Sequence, residues 1–387
     1  MIAQRRTETP IVLFGLIFSL LFSYLTYSTI GLRHFLVLLI GIGLGFTLYK
    51  SAFGFTWGWR NFIEKKNSSG LRAQFLMLAL AVIIFSFFIG KKSFFYDGLI
   101  VGAIAPVSLS VVIGSLMFGF AMQLGGGCGS GTLFTAGSGN VKMAITLIFF
   151  IIGSLAGTYH FTFWSSLPSL GTISLLNNYT VSNTLLIQLS LLTFLYVVVF
   201  TIDKKNNKNV NHNNIFKFTS SNLLRDPWPL FAGSVLLVFF SFLMLHAAGH
   251  PWSVTFSFGL WGAKIASLFG IDIASWDYWQ LSYPAIALEN SLLADPTTVS
   301  NLGIILGALI ASALAGNFIN QAPINKKLIY AAVIGGFFMG YGARLSFGCN
   351  IGALFGGIAS GSMHGWVWFL FAFIGSYFGV KARKFFY

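Results

Sequence analysis

The sequence predicts an all-α polytopic membrane protein: about ten transmembrane helices in two inverted repeats, with four short re-entrant helices between them. Three observations lead there. Hydrophobic residues make up 56% of the 387 and charged residues only 8%, against about 25% charged in an ordinary soluble chain. At an offset of 221 positions, the distance from Cys128 to Cys349, the segment 112–134 lies over 333–355. Val112/Val333, Ile113/Ile334, Gly114/Gly335, Gly119/Gly340, Leu124/Leu345, Gly127/Gly348, Cys128/Cys349, Gly131/Gly352, Leu133/Leu354 and Phe134/Phe355 are then identical pairs. The third observation is the placing of the Lys and Arg residues, which fall between apolar runs and mostly in alternate connections.

Spanning roughly 30 Å of hydrocarbon takes about 20 apolar residues. Ten stretches qualify: 11–30, 33–50, 72–90, 99–123, 141–160, 183–202, 228–247, 299–317, 328–345 and 362–380. The first is too long for a signal-peptide core and lacks a small-residue cleavage site, so it is expected as a retained helix. Gly41, Gly43 and Gly45 give the second a small-residue packing face. Ser51–Arg60, Gly125–Asn140, Trp252–Ile265 and Ser346–Met363 are apolar or glycine-rich but too short to span. A half-helix of about ten residues rises only about 15 Å, to the bilayer midplane, where broken backbone is tolerated inside protein or beside a polar cavity. The first and third of these pieces also match, as Phe53-Gly54-Phe55 and Phe256-Ser257-Phe258, each followed by Trp-Gly. The Asn- and Lys-rich break from Asp203 to Asp226 reads as a mobile loop between the halves.

A net charge of +14 would suggest nucleic acid in a soluble protein. Here it serves orientation, and no nucleic-acid partner is expected. With the N-terminus in the cytoplasm, Arg5, Arg6, Lys65, Lys66, Lys204, Lys205, Lys326, Lys327, Lys381, Arg383 and Lys384 fall inside, as the positive-inside rule requires; Lys91 and Lys92 are exceptions. The segment Ile271–Ser300 has no Lys or Arg but carries Asp272, Asp277, Glu289 and Asp295. The resulting map is a multi-pass inner-membrane protein with both termini cytoplasmic. It divides into an extra helix (1–30), a first repeat (31–182), a connecting helix and loop (183–227) and an inverted second repeat (228–387). Cys128 then enters from the cytoplasmic side and Cys349 from outside, a transporter architecture.

The cluster Gly125, Gly126, Gly127, Cys128, Gly129, Gly131 has the spacing of a phosphate loop, yet Thr132 stands where that motif needs lysine, and no strand precedes it. Close helix crossing explains some of these glycines but not a thiol beside each cluster. Buried packing is the ordinary role of a free cysteine. Two thiols without a His pair are too few for zinc, and a CxxC redox pair is absent, so no metal or cofactor is expected. A path lined by two neutral, polarizable thiols remains, with Gly348, Asn350 and Gly352 flanking the second. Such thiols avoid the roughly 2.5–3.5 kcal/mol insertion cost of a fixed charge, and half-helix N-termini supply a positive field for an anion. Arg344 stands opposite Gln123 in the repeat; it either snorkels to the interface or captures anions at the outer mouth with Lys264. Gly54 and Ser257 occupy equivalent places on the same path. His34, His160, His246, His250 and His364 read as packing or interfacial residues.

At Met122-Gln123-Leu124-Gly125-Gly126-Gly127-Cys128-Gly129-Ser130-Gly131-Thr132-Leu133-Phe134, and again at Gly340-Tyr341-Gly342-Ala343-Arg344-Leu345-Ser346-Phe347-Gly348-Cys349-Asn350-Ile351-Gly352-Ala353, the chain resembles the YeeE/YedE sulfur-transport family. It looks closest to the YedE branch, which is associated with selenium metabolism. The resemblance implies thiosulfate-like uptake, an hourglass-shaped inverted repeat with re-entrant helices, and a substrate passed between thiols by weak hydrogen bonds. Thiosulfate-type members carry a further cysteine in a Phe-Cys-Phe setting where Gly54 stands here, so another sulfur or selenium oxyanion, or a reduced chalcogen, fits the shorter thiol path. The function expected is uptake of a small sulfur- or selenium-containing anion, not an enzymatic one, with a cytoplasmic sulfur-carrier or sulfurtransferase protein as a partner. Its rivals are a membrane thiol oxidoreductase or persulfide carrier using both cysteines covalently, and a scaffold for a sulfur-carrier protein.

Overall fold

A computed structural model of the chain describes residues 6–207, 215, 223–319, 321 and 323–387. Most of the expected loop between Asp203 and Asp226, and Arg5, lie outside the described residues. The helices, in order, are α1 (Thr9–Thr29), α2 (Leu32–Lys50), α3 (Phe55–Lys65), α4 (Ser69–Phe85), α5 (Leu109–Gly125), α6 (Gly129–Gly137), α7 (Val141–Tyr159), α8 (Phe161–Ser165), α9 (Leu175–Asn178), α10 (Val181–Asn206), α11 (Leu230–Ala248), α12 (Thr255–Leu268), α13 (Ser282–Glu289), α14 (Pro296–Leu314), α15 (Lys326–Leu345), α16 (Gly357–Ala359) and α17 (Met363–Arg383). A π-helical turn, Asn350–Gly356, runs into α16. Among the described residues, nine helical segments are long and apolar enough to cross a membrane, and α4, with 17 residues, is a shorter apolar helix. The chain is an all-α polytopic membrane protein. Leu13, Phe14, Ile17 and Leu20 on α1, and Leu186, Phe194 and Val197 on α10, are exposed, as a lipid-facing rim requires.

The expected span 99–123 is not helical over its first part. Pro106 has no N–H to donate and holds the residue before it extended, so 106–108 forms β1 (Pro106–Ser108), paired antiparallel with β2 (Ser169–Thr172). The helix opens only at Leu109, where the Ser108 hydroxyl accepts the amide of Val111 at 3.3 Å, an ordinary N-cap. The opposite adjustment occurs at Ser51–Arg60: the helix there begins at Phe55 and continues to Lys65.

Loop contacts define two ends. At the basic end, Glu8 N donates to Ala313 O, Lys50 Nζ to Leu224 O, Asn207 Nδ2 to Lys65 O and Asn140 Nδ2 to Gln321 Oε1. At the other end Arg33 donates to the carbonyls of Ala247 and Ala248, His34 bonds Ala294 O, and Leu175 N donates to Gly361 O. There, burial and the neighbouring Asp295 carboxylate push the Tyr283 hydroxyl above the ordinary tyrosine value, which keeps it the donor to Asp295 Oδ1 at 2.9 Å.

The helix packing repeats itself. α2 packs on α14 as α11 packs on α4; α7 packs on α15 as α17 packs on α5; α12 lies on α7 as α3 lies on α17. α2 with α11, and α5 with α15, pair directly. The glycine face of α2 makes one of these crossings close: a Cβ at Gly41 would sit 2.5 Å from Ser300 O, and one at Gly45 would overlap Ile304 O. Gly43 instead faces the Phe240 ring.

Candidate functional site: two buried thiols beside a basic cavity

A left-handed residue stands two positions before each cysteine. Gly126, before Cys128, has φ +93°, and Phe347, before Cys349, has φ +57°. Both lie in the left-handed region, which costs a non-glycine residue about 1–2 kcal/mol. Cys128 and Cys349 then take extended backbone as the N-caps of α6 and of the π-helical turn. Thr132 N donates to Cys128 O at 2.8 Å, and its counterpart Ala353 N donates to Cys349 O at 2.9 Å. A Cβ on Gly127 would meet Thr132 N and Gly131 C, and one on Gly348 would meet Ala353 N and Gly352 C. Two similar turns therefore carry the two thiols.

These turns meet. The Cβ position of Gly129 lies 2.9 Å from Cys349 Sγ and that of Gly131 3.4 Å from Cys128 Sγ. Both thiols are free and buried. Cys128 Sγ sits 3.6 Å from Ser130 Oγ, and Cys349 Sγ accepts from Ile351 N at 3.4 Å. Beside them, Thr132 Oγ1 and both polar atoms of the Asn350 side chain are buried with no partner among the described residues. Unpaired buried polar atoms cost about 1–3 kcal/mol each, and these stand beside the two cysteines in the chain.

A cavity of about 660 Å³ opens from the basic end to this point. Gly54, Gly126, Gly127, Cys128 and Gly131 line it, with Lys50, Arg60 and Arg225 as its cations and Thr56, Thr135, Ser138 and Asn317 as hydroxyl and amide groups. No Asp or Glu is among the described residues that line it. A second, smaller space of about 70 Å³ lies at Phe347, two residues before Cys349, bounded also by Leu345, Arg344, Trp164 and Phe161. The arrangement suits an anion: cations and donors on the walls, the neutral polarizable sulfur of Cys128 among them, and the N-terminus of α6 beginning beside it.

The remaining predicted residues fall elsewhere. Gln123 is buried and ties three elements together, donating to Thr56 O at 3.3 Å and Ser376 Oγ at 2.8 Å. Gly125 accepts from Lys142 Nζ at 2.6 Å. Gly352 packs with its Cβ position 3.8 Å from Ser253 Oγ. Ser257 is one turn inside α12, donating to Val254 O and accepting from Asn301, whereas Gly54 is the N-cap of α3. Arg344 donates to Tyr278 Oη at 2.8 Å and to Thr255 O at 2.6 Å, holding the outer turns together. Lys264 has no hydrogen bond or ion pair among the described residues, and the structure does not join it to Arg344. Sequence reasoning missed Lys50, Thr56, Arg60 and Arg225. Cations near span ends were read as orientation signals, and nothing local says which of them turn inward.

The model of the sulphur transport family matches residues 50–378. The chain is 25% identical over 349 residues to the thiosulfate transporter TsuA of Escherichia coli, covering 87% of this chain and 91% of that one. It is 25% identical over 353 residues to TsuA of Spirochaeta thermophila, 88% and 96% of the two chains. A "Probable transporter YedE" of Escherichia coli is 37% identical over 133 residues, and that match spans 34% of this chain but only 32% of the relative. With the family match running through both cysteine turns and the helices that carry them, the chain belongs to the sulphur transport family.

Proposed function

We propose that this protein takes up a small sulfur- or selenium-containing oxyanion of the thiosulfate type across the inner membrane, along a central path through the Cys128–Cys349 centre. One observation carries the reading: a cavity lined by Cys128, three cations and no described acid adjoins the turn on which Gly129 meets the Cys349 sulfur. A dry, doubly charged anion needs such donors, and a sulfur-bearing one gains from polarizable thiols that carry no competing charge.

The repeats are read as inverted. Cys128 follows a helix that descends to the basic end and Cys349 follows one that runs to the opposite end, yet the two turns touch near the middle. Packing that is unchanged when α2, α3, α4, α5 and α7 are exchanged for α11, α12, α14, α15 and α17 supports a pseudo-two-fold axis between them. The positive-inside rule assigns the basic end, with both described chain ends, to the cytoplasm. The large cavity then opens inward.

Purified protein in proteoliposomes tests the reading, with radiolabelled thiosulfate competed by unlabelled thiosulfate, sulfite, selenite and sulfate. Saturable uptake suppressed by at least one sulfur or selenium oxyanion is the expected result. Uptake no greater than that of empty liposomes for all four would overturn it.

A further inference from the structure

The cavity holds a second group of donors, away from the thiols. Thr56 and Arg60 lie four residues apart on α3 and so share one face of that helix. Both line the cavity. The Thr56 hydroxyl is buried with no partner among the described residues. Arg60 makes no hydrogen bond or close ion pair with any described residue; the Glu64 carboxylate one turn on acts on it at longer range, against the neighbouring cations Lys142 and Arg383. Ahead of both, α3 opens at Gly54 with no side-chain cap, leaving its first-turn amides at the wall of the same cavity. A guanidinium with no hydrogen-bonded acceptor, a hydroxyl with none and an uncapped helix N-terminus stand at one wall.

We infer that Thr56 and Arg60 form an inner relay subsite that holds the oxygen atoms of a tetrahedral or pyramidal oxyanion between the thiol centre and the cytoplasm. The inference rests on the transport reading and narrows its substrate class. A guanidinium fork matches two oxygens of one anion, the hydroxyl supplies a third donor, and the α3 amides add positive field. Such a set selects hard anionic oxygen over a neutral thiol or a bare chalcogenide. Thr56 stands two residues and Arg60 six residues from Gly54, so the path relays the anion there by charge and oxygen contacts.

The test is equilibrium binding of radiolabelled thiosulfate and sulfate to the purified full chain in detergent at low ionic strength. R60Q should weaken binding of both by about tenfold or more and T56V by about threefold. R60K and T56S, which keep a charge and a hydroxyl, should fall between each variant and the wild type. A C128A/C349A double variant should still bind sulfate in an Arg60-dependent manner, because the subsite lies short of the thiols. Wild-type affinity in both R60Q and T56V overturns the subsite. If that occurs while wild-type uptake is normal, the subsite fails and the transport reading stands; Arg60-dependent binding without any uptake means the reverse. Should R60Q not elute as a single folded species, T56V, T56S and R60K carry the same comparison.

Discussion

A methyl group added at residue 129 would meet the Cys349 sulfur at 2.9 Å. Overpacking of that kind typically costs about 1–3 kcal/mol, a loss most folded membrane proteins absorb. The thiol must move to relieve it, so Gly129→Ala should reduce thiosulfate uptake by about tenfold or more while thermal melting in detergent falls by only a few degrees. Uptake at the wild-type rate would show that the Gly129–Cys349 contact is not part of the path. The glycine cluster and the equivalence of the two cysteines were legible in the sequence, because the repeat prints them twice. Their contact was not, since it joins residues some two hundred positions apart and depends on how two turns face one another. Arg60 shows the same limit from the other side: its charge is visible in the sequence, but its lack of a hydrogen-bonded acceptor emerges only once the neighbouring walls are in place.

Among the elements, the two cysteine turns share a left-handed residue two positions before an extended cysteine, and differ in the side chain that residue carries. Gly126 lines the large cavity, and Phe347, its counterpart in the left-handed region, bounds the smaller space. Phe347 is 41% exposed, so little packing offsets its strained backbone. Phe347→Gly should relieve the strain, leave stability within about 1–2 kcal/mol of the wild type, and widen the outer approach. In a Cys128→Ala background, labelling of Cys349 by a membrane-impermeant thiol reagent added outside should be faster in that variant by about tenfold. An unchanged rate would mean that Phe347 does not close the outer mouth. Helix existence was legible from apolar run length, and so were most boundaries. Span 99–123 failed at its start because apolar composition alone cannot separate a helix from the extended stretch that Pro106 enforces.

For the whole molecule, orientation and energetics make separate claims. A cysteine at Asn207 should react with impermeant maleimide only after the cytoplasmic face is opened, and one at Ala294 should react from outside. Labelling of both from one face would break the assignment of the two ends. Moving one charge through 100 mV is worth about 2.3 kcal/mol, so a dianion entering a cell negative inside faces about 4.6 kcal/mol, a concentration ratio above about a thousand. Consumption of the anion at the cytoplasmic face by a sulfurtransferase or sulfur-carrier protein would offset this. In sealed vesicles without that protein, uptake should stall at low internal concentration and respond to an imposed potential; strong accumulation against an inside-negative potential would point to a coupling ion.

The central claim is that the two thiols carry the anion by hydrogen bonding, and initial uptake of radiolabelled thiosulfate in proteoliposomes tests it most directly. Cys128→Ser and Cys349→Ser keep a donor of similar size and should retain part of the wild-type rate, while Cys128→Ala and Cys349→Ala should each lower it by about tenfold or more. Full transport in either alanine variant would contradict the account, and serine variants as inactive as the alanine ones would replace hydrogen bonding with covalent thiol chemistry.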